Sequence, residues 1–123
     1  MKKKILSVGQ CLPDTFALRA LIEENFDAEL VTADRADDTL SQLRAGGITL
    51  VLVNRKLDID YSDGLEIIKQ IKADPQLASV PAMLVTNYSE HQDAAVAAGA
   101  ERGFGKLELD QPETLFNLRR FLA

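Results

Sequence analysis

The stretch Ile48-Thr-Leu-Val-Leu-Val-Asn54 is an apolar run of strand length that ends in a single amide. Such a run, without alternating polar residues, is typical of a strand that is covered on both faces, as in a parallel sheet. Gly46 and Gly47 stand directly before it and mark the end of a preceding helix. The stretch therefore predicts a buried strand in an α/β sheet, with Asn54 at its carboxyl end.

Short apolar runs alternate with helical spacing along the rest of the chain. Strands are predicted over 5–8, 28–31, 48–54, 82–86 and 103–107, and helices over 13–25, around Leu40 and Leu43, and over 64–71, 87–98 and 110–122. Repeated β-α units of this length predict a parallel sheet with helices on both faces, joined by right-handed crossovers. The 123 residues suit a single domain over 1–123.

Composition excludes several kinds of partner. The chain is 46% hydrophobic and 27% charged, with a formal net charge of −5. The short basic runs Lys2-Lys3-Lys4 and Arg119-Arg120 do not make the basic surface that nucleic-acid binding needs. No apolar stretch has the roughly 20 residues of a membrane span, and Cys11 is alone, so no intramolecular disulfide can form. We expect a cytoplasmic protein that binds neither nucleic acid nor membrane.

Candidate site residues follow from the predicted sheet. In an open parallel sheet, ligands bind outside the carboxyl ends of the strands. The residues at those ends are Gly9 and Gln10 after the first strand, Asn54 on the third, Thr86 on the fourth and Lys106 on the fifth. We expect these five residues to lie at one edge of the sheet.

The chain resembles the receiver domain of two-component response regulators over almost its whole length. The matching segments are Lys4-Ile-Leu-Ser-Val8, Leu50-Val-Leu-Val53, Asp63-Gly-Leu-Glu-Ile-Ile68, Val80-Pro-Ala-Met-Leu-Val-Thr86, Ala97-Ala-Gly-Ala-Glu101 and Gly105-Lys106. The resemblance implies a flavodoxin-like (βα)5 sandwich of three layers, with five parallel strands in the order 2-1-3-4-5.

Three carboxylates of that family are absent from this sequence. The resemblance implies a phosphoryl-accepting aspartate on the third strand, where Asn54 stands, and an acidic pair that holds magnesium, where Gly9 and Gln10 stand. A carboxamide is not a competent nucleophile for phosphoryl transfer, and magnesium prefers charged oxygen ligands. Lys106 is then the one charged residue left at the predicted site, so we expect the site to be positive. We also expect no phosphorylation at Asn54, no metal and no cofactor.

Two residues of the family's switch are retained. Thr86 and Lys106 stand where the family contacts the phosphoryl oxygens, but Gly103 replaces the coupling aromatic residue three positions before the lysine. We expect Lys106 to donate a hydrogen bond to the Asn54 side-chain carbonyl. The sequence predicts a phosphorylation-independent interaction module that is not an enzyme. The alternative is a receiver that switches through an anionic ligand, or another input, at the Lys106 and Thr86 pocket.

The loop after the third strand contains Asp58, Asp60 and Asp63. Their spacing does not fit a calcium loop, and no glutamate follows at the required position. A solvated loop is favoured. A sharper hypothesis is that one of these aspartates pairs with Lys106 and replaces the missing charge.

Catalysis by Cys11 and ligation by His91 are weak hypotheses. A phosphatase loop needs Cys-x5-Arg, but position 17 is Ala, and the same segment lacks the hydroxyl groups of a flavin phosphate loop. His91 has no nearby cysteine or second histidine, which favours a surface position on a helix.

We expect the partner to be another signalling protein, or a second copy of the chain, on the face formed by the fourth helix, the fifth strand and the last helix. An alanine cluster there would allow close approach of a partner helix, but alanine is equally expected simply as a good helix former: Ala94, Ala95, Ala97, Ala98 and Ala100. Phe116 and Phe121 lie on the last helix, and at least one of them is expected to belong to the core.

Overall fold

Parallel pairing of short apolar segments builds the sheet in the computed structural model, which describes residues 2–123. The strands are β1 (Lys3–Val8), β2 (Ala28–Ala33), β3 (Ile48–Asn54), β4 (Ala82–Val85) and β5 (Glu101–Phe104), and their order is β2-β1-β3-β4-β5. The predicted fold class and strand order are confirmed.

Helices cover both faces of the sheet. They are α1 (Leu12–Asn25), α2 (Ala36–Ala45), α3 (Gly64–Ala73), α4 (Ser89–Ala97) and α5 (Pro112–Leu122). Side chains of α1 and α5 pack with Leu50 and Leu52 on one face, whereas those of α2, α3 and α4 pack with Val51 and Val53 on the other. Burial of both faces explains why β3 reads as one apolar run.

The last two strands end earlier in the chain than predicted. Strand β5 ends at Phe104, and Lys106 lies in a short 3₁₀ turn, Lys106–Glu108, instead of on the strand. The turn is held by hydrogen bonds from the Gly105 N–H to the Glu108 carboxylate, 2.8 Å, and from the Leu107 N–H to Asn87 Oδ1, 3.1 Å. These side chains bend the backbone away from the sheet and place Lys106 above its carboxyl edge.

The start of α3 is fixed close to the end of β3. Asp63 caps the helix by accepting a hydrogen bond from the Leu65 N–H, 2.9 Å. Gly64 follows, and a Cβ atom there would overlap the carbonyl oxygen of Asn54. The glycine therefore lets α3 begin directly beside the candidate site.

The two phenylalanines of α5 separate as expected. Phe121 packs against the core between α1, α5 and the sheet, whereas Phe116 is 65% exposed. None of the helices within residues 2–123 is both long enough and apolar enough to cross a membrane.

Candidate functional site

A cleft of about 400 Å³ lies at the carboxyl edge of the sheet. It contains three of the predicted site residues, and its lining consists of Asn54, Arg55, Lys56, Val85, Thr86, Asn87, Tyr88, His91 and Lys106. Gly9 and Gln10 are not among the lining residues, although the backbone of Gly9 contacts Asn54. The structure thus brings Asn54, Thr86 and Lys106 together around one opening.

Asn54 uses its side-chain amide to join two loops. Its Nδ2 donates to the carbonyl oxygen of Gly9, 3.1 Å, and to that of Lys56, 2.7 Å. Both partners are acceptors only, so this position needs an NH₂ group. An aspartate in the same place would set a carboxylate against two carbonyl oxygens.

The charge partner of Lys106 comes from α1. Lys106 Nζ lies 2.6 Å from Asp14 Oδ2, and about a third of each side chain is exposed. The expected hydrogen bond from Lys106 to Asn54 is absent from the structure of residues 2–123, because the ammonium group is directed to Asp14 instead. Sequence reasoning missed Asp14, which lies in the first turn of α1 rather than at the end of a strand.

The hypothesis that Asp58, Asp60 or Asp63 pairs with Lys106 was wrong. Asp60 accepts hydrogen bonds from the backbone N–H and hydroxyl of Ser62, at 2.9 and 2.6 Å, and Asp63 caps α3. A backbone bridge between Lys56 and Asp63 closes the loop on itself. The carboxylates of Asp60 and Asp63 are therefore satisfied within the loop, and the ion pair of Lys106 is made with Asp14 instead.

Cys11 and Asp14 form one hydrogen-bonded unit. The Cys11 thiol donates to Asp14 Oδ2 at 3.0 Å. This bond is the main cause that raises the pKa of Cys11 above its ordinary value. Burial by itself would raise the pKa of Asp14, but the hydrogen bonds from Lys106 and Cys11 and the charge of Lys106 outweigh it, so that pKa is lowered. The unit holds a neutral thiol beside an ionised carboxylate.

Neither position of the expected acidic pair supplies a charged metal ligand. Gly9 has φ +72°, and a Cβ atom there would overlap the side chain of Leu57. The amide nitrogen and oxygen of Gln10 are both buried, and neither has a hydrogen-bond partner among the described residues. Within residues 2–123, no group of three His, Cys, Asp or Glu side chains is arranged to hold a metal ion.

The hydroxyl of Thr86 is already engaged inside the protein. It lies 3.3 Å from His91 Nδ1 and accepts a hydrogen bond from the Tyr88 N–H, also 3.3 Å. The Tyr88 ring meets the His91 ring edge to face, with centroids 5.4 Å apart. His91 was expected on the helix surface, but it is half-buried and lines the cleft.

Gly103 is packed too tightly to be replaced by a larger residue. A Cβ atom there would overlap the carbonyl oxygen of Leu84. Its N–H donates to Gln92 Oε1 at 2.8 Å, and the buried Gln92 amide donates to the carbonyl oxygens of Leu84, 2.9 Å, and Thr86, 3.3 Å. Gln92 therefore ties α4 to both β4 and β5, and no sequence motif pointed to it.

The cleft carries positive charge from residues that the sequence analysis had not placed there. Its described lining includes Arg55, Lys56 and Lys106 but neither aspartate nor glutamate. Lys106 is neutralised by Asp14, whereas Arg55 and Lys56 form no ion pair in the part of the chain that the structure describes. The expectation that Lys106 alone would make the site positive is corrected accordingly.

No model of a known protein family matches this chain. Solved structures do. The signal receiver domain of an HD domain-containing protein from Pseudomonas fluorescens Pf-5 is 23% identical and has a TM-score of 0.80, with 98% of this chain and 87% of that chain covered.

Two further structures match over almost their full length. A putative response regulator from Chloroflexus aurantiacus is 17% identical, with a TM-score of 0.79 and coverage of 100% of this chain and 99% of its own. The chemotaxis response regulator CheY4 of Vibrio cholerae is 19% identical, with a TM-score of 0.76 and coverage of 99% and 100%. The chain has the fold of response regulator receiver domains.

Proposed function

We propose that this chain is a signalling module with a receiver fold that binds another protein and does so without aspartyl phosphorylation. The observation that carries the proposal is the pair of hydrogen bonds donated by the Asn54 amide to the carbonyl oxygens of Gly9 and Lys56. The residue at the acceptor position holds two loops together through hydrogen atoms that a carboxylate lacks.

The metal requirement supports the same conclusion. Phosphoryl transfer to an aspartate needs a divalent cation that neutralises the transferring group. The positions expected to bind it are a glycine with a positive φ and a glutamine whose amide is buried. The nearest carboxylate that contacts the site, Asp14, is already bound to Lys106.

The α4–β5 region supports a fixed rather than a switching module. Gln92 bridges α4 to β4 and β5 with three hydrogen bonds, and the position of the coupling aromatic residue is a glycine in contact with the β4 backbone. Residue 103 has no room for a side chain that could change its position in response to events at the site.

A binding role is also better supported than a reaction at Cys11. The hydrogen bond to Asp14 raises the pKa of the thiol, whereas a nucleophilic cysteine needs its pKa lowered. The charge of Lys106 acts in the opposite direction and lowers the pKa of the thiol, but it is the smallest of the causes, because Lys106 is paired with the Asp14 carboxylate.

A second candidate function is a response to an anionic ligand in the cleft. The unpaired Arg55 and Lys56 favour it, and in this form the ligand binds mainly these two cations. Thr86 and Lys106, the residues first considered for this role, already have partners inside the protein.

Incubation with acetyl phosphate and magnesium, followed by intact-mass measurement, tests the proposal. We expect no phosphate on the wild-type chain, while an active receiver domain treated in parallel gains one group. The Asn54→Asp variant restores only the nucleophile, whereas the Gln10→Asp/Asn54→Asp variant also adds a carboxylate at the predicted metal site. Comparing phosphate incorporation by the two variants separates the effect of the missing nucleophile from that of the missing metal ligand. Gly9 is left unchanged because a side chain there would overlap Leu57. Phosphate on the wild-type protein would refute the proposal.

A further inference from the structure

Exposed apolar side chains are concentrated at the carboxyl edge of the sheet. Of the eight large hydrophobic residues that the described chain exposes, six belong to the loops at this edge or to the first five residues of α1: Leu12, Phe16, Ile59, Tyr61, Tyr88 and Leu107. The other two, Val96 and Phe116, lie on α4 and α5. The expected α4–β5–α5 docking face therefore carries less exposed apolar surface than this edge. We call the six residues the apolar rim.

The apolar rim and the cleft belong to the same surface. Tyr88 lines the cleft, and Leu107 follows the cleft residue Lys106 in the 3₁₀ turn, where it is 80% exposed. The ion pair between Lys106 and Asp14 holds the first turn of α1 against this turn, and Leu12 and Phe16 flank Asp14 in that helix.

The cleft has the charge opposite to that of the whole protein. The chain has a formal net charge of −5, yet the described cleft lining contributes only cations. Arg55 is half-buried, and its guanidinium group has no carboxylate partner among the described residues. A guanidinium group is most favourably satisfied by a planar carboxylate, which accepts two parallel hydrogen bonds.

We propose that this edge binds a segment of a partner protein in which carboxylate side chains stand beside large apolar ones. The carboxylates bind Arg55 and Lys56 in the cleft, and the apolar side chains cover the apolar rim. This inference rests on the proposed function and adds the location and chemistry of the interface.

The two features together distinguish the partner from simpler ligands. A small inorganic anion would neutralise Arg55 but would leave the apolar rim exposed, and exposed apolar surface of this kind marks interaction sites. A second copy that docked through the same edge would place its own Arg55 and Lys56 against these cations. An acidic and apolar segment satisfies both the cations and the rim.

An array of short peptides tests the proposal. Its members combine aspartate or glutamate with leucine, phenylalanine or tyrosine at every spacing, and each has an amide copy with asparagine or glutamine. We expect a subset of acidic peptides to bind and their amide copies not to bind. The best peptide is then titrated into ¹⁵N-labelled protein, where we expect saturable shifts at Arg55, Tyr88 and Leu107.

Two charge-matched variants locate the contact. Arg55→Gln is expected to weaken binding of the best peptide about tenfold, the loss typical of one charge-assisted hydrogen bond. Arg119→Gln removes the same charge from an exposed site on α5 and should leave the affinity unchanged. The Leu107→Ser variant should also weaken binding, which would show that the apolar rim takes part.

Three results would overturn the inference. The first is that no acidic peptide binds. The second is that the wild type and Arg55→Gln bind the best peptide with equal affinity. The third is that inorganic phosphate binds more tightly than any peptide and shifts the same backbone amide signals. Shifts that depend on protein concentration in the absence of peptide would assign the surface to a second copy instead. The phosphodonor assay remains independent: a negative peptide result without phosphate incorporation removes only this inference, whereas incorporation removes the proposed function itself.

Discussion

Two glutamines at the carboxyl end of the sheet bury their amide groups in opposite surroundings. In the junction of β4, α4 and β5, Gln92 makes three hydrogen bonds, one of them accepted from the N–H of Gly103. In the connection between β1 and α1, both amide atoms of Gln10 are buried without a partner among residues 2–123.

The difference shows that Gln92 has a structural role, whereas the amide of Gln10 has none that the described contacts reveal. Gln92 joins α4 to β4 and β5 by three hydrogen bonds, so the β4–α4–β5 junction depends on it. The amide of Gln10 makes no hydrogen bond within residues 2–123 and adds a desolvation cost. Polar groups in this edge are therefore not equally important, although both residues are neutral amides.

Replacing Gln92 should have the largest effect on stability. The Gln92→Leu variant leaves the Gly103 N–H and the Leu84 carbonyl buried without partners, at about 1–3 kcal/mol for each lost bond. We expect urea denaturation to show about 3 kcal/mol less free energy of unfolding. The Gln70→Leu variant on the exposed side of α3 serves as control. Equal stability of the two variants would remove the structural role of Gln92.

The Gly103→Ala variant should have the next largest effect. Its Cβ would overlap the Leu84 carbonyl oxygen, and the backbones of β4 and β5 would have to separate. Overpacking of this kind costs about 1–3 kcal/mol. Thermal and urea unfolding measure the loss, with Arg119→Ala at an exposed site on α5 as control. A stable Gly103→Ala protein would show that residue 103 has room for a side chain.

Replacing Gln10 should change stability in the opposite direction. The Gln10→Met variant keeps a similar shape and removes two unpartnered polar atoms, which should raise the free energy of unfolding by about 1 kcal/mol. The exposed Gln76→Met variant is the matched control and should have no effect. A loss of stability in Gln10→Met would mean that the Gln10 amide stabilises the fold. In that case the two glutamines would not differ in the way described above.

The ion pair of Asp14 should give a smaller, pH-dependent effect. Because the pKa of Asp14 is lowered in the folded state, its stabilisation is present above the ordinary pKa near 4 and is lost as the pH falls through the folded value. The Asp14→Asn variant should be about 1 kcal/mol less stable at pH 7, since the pair is only partly buried.

Comparing urea unfolding of the wild type and Asp14→Asn between pH 7 and pH 2.5 checks this prediction. The two stabilities should converge at the acidic end. A constant difference would show that Asp14 stabilises the fold through packing, not through its charge.

The sheet was predictable from local patterns, but several site contacts were not. The apolar run of β3 and the glycines before it mark a buried strand whatever the distant sequence. The partner of Lys106 depends on where the 3₁₀ turn ends and on which side of α1 faces it. Sequence spacing led to Asp58, Asp60 and Asp63, whereas three-dimensional proximity selected Asp14.

Gln92 was missed for a related reason. It lies in an alanine-rich helix, where a single glutamine looks like an exposed polar residue. Its importance appears only when β4 and β5 place two carbonyl oxygens and one N–H around its side chain.

The bonding of Asn54 also bears on how the protein ages. Deamidation would convert this asparagine into aspartate or isoaspartate, and its usual route requires the backbone nitrogen of Arg55 to attack the side-chain carbonyl carbon. That nitrogen is held in the sheet, where its N–H donates to the carbonyl oxygen of Val85 at 3.3 Å, and the leaving amide is retained by two hydrogen bonds. Spontaneous chemistry should therefore not create an acceptor carboxylate at position 54 during the lifetime of the molecule.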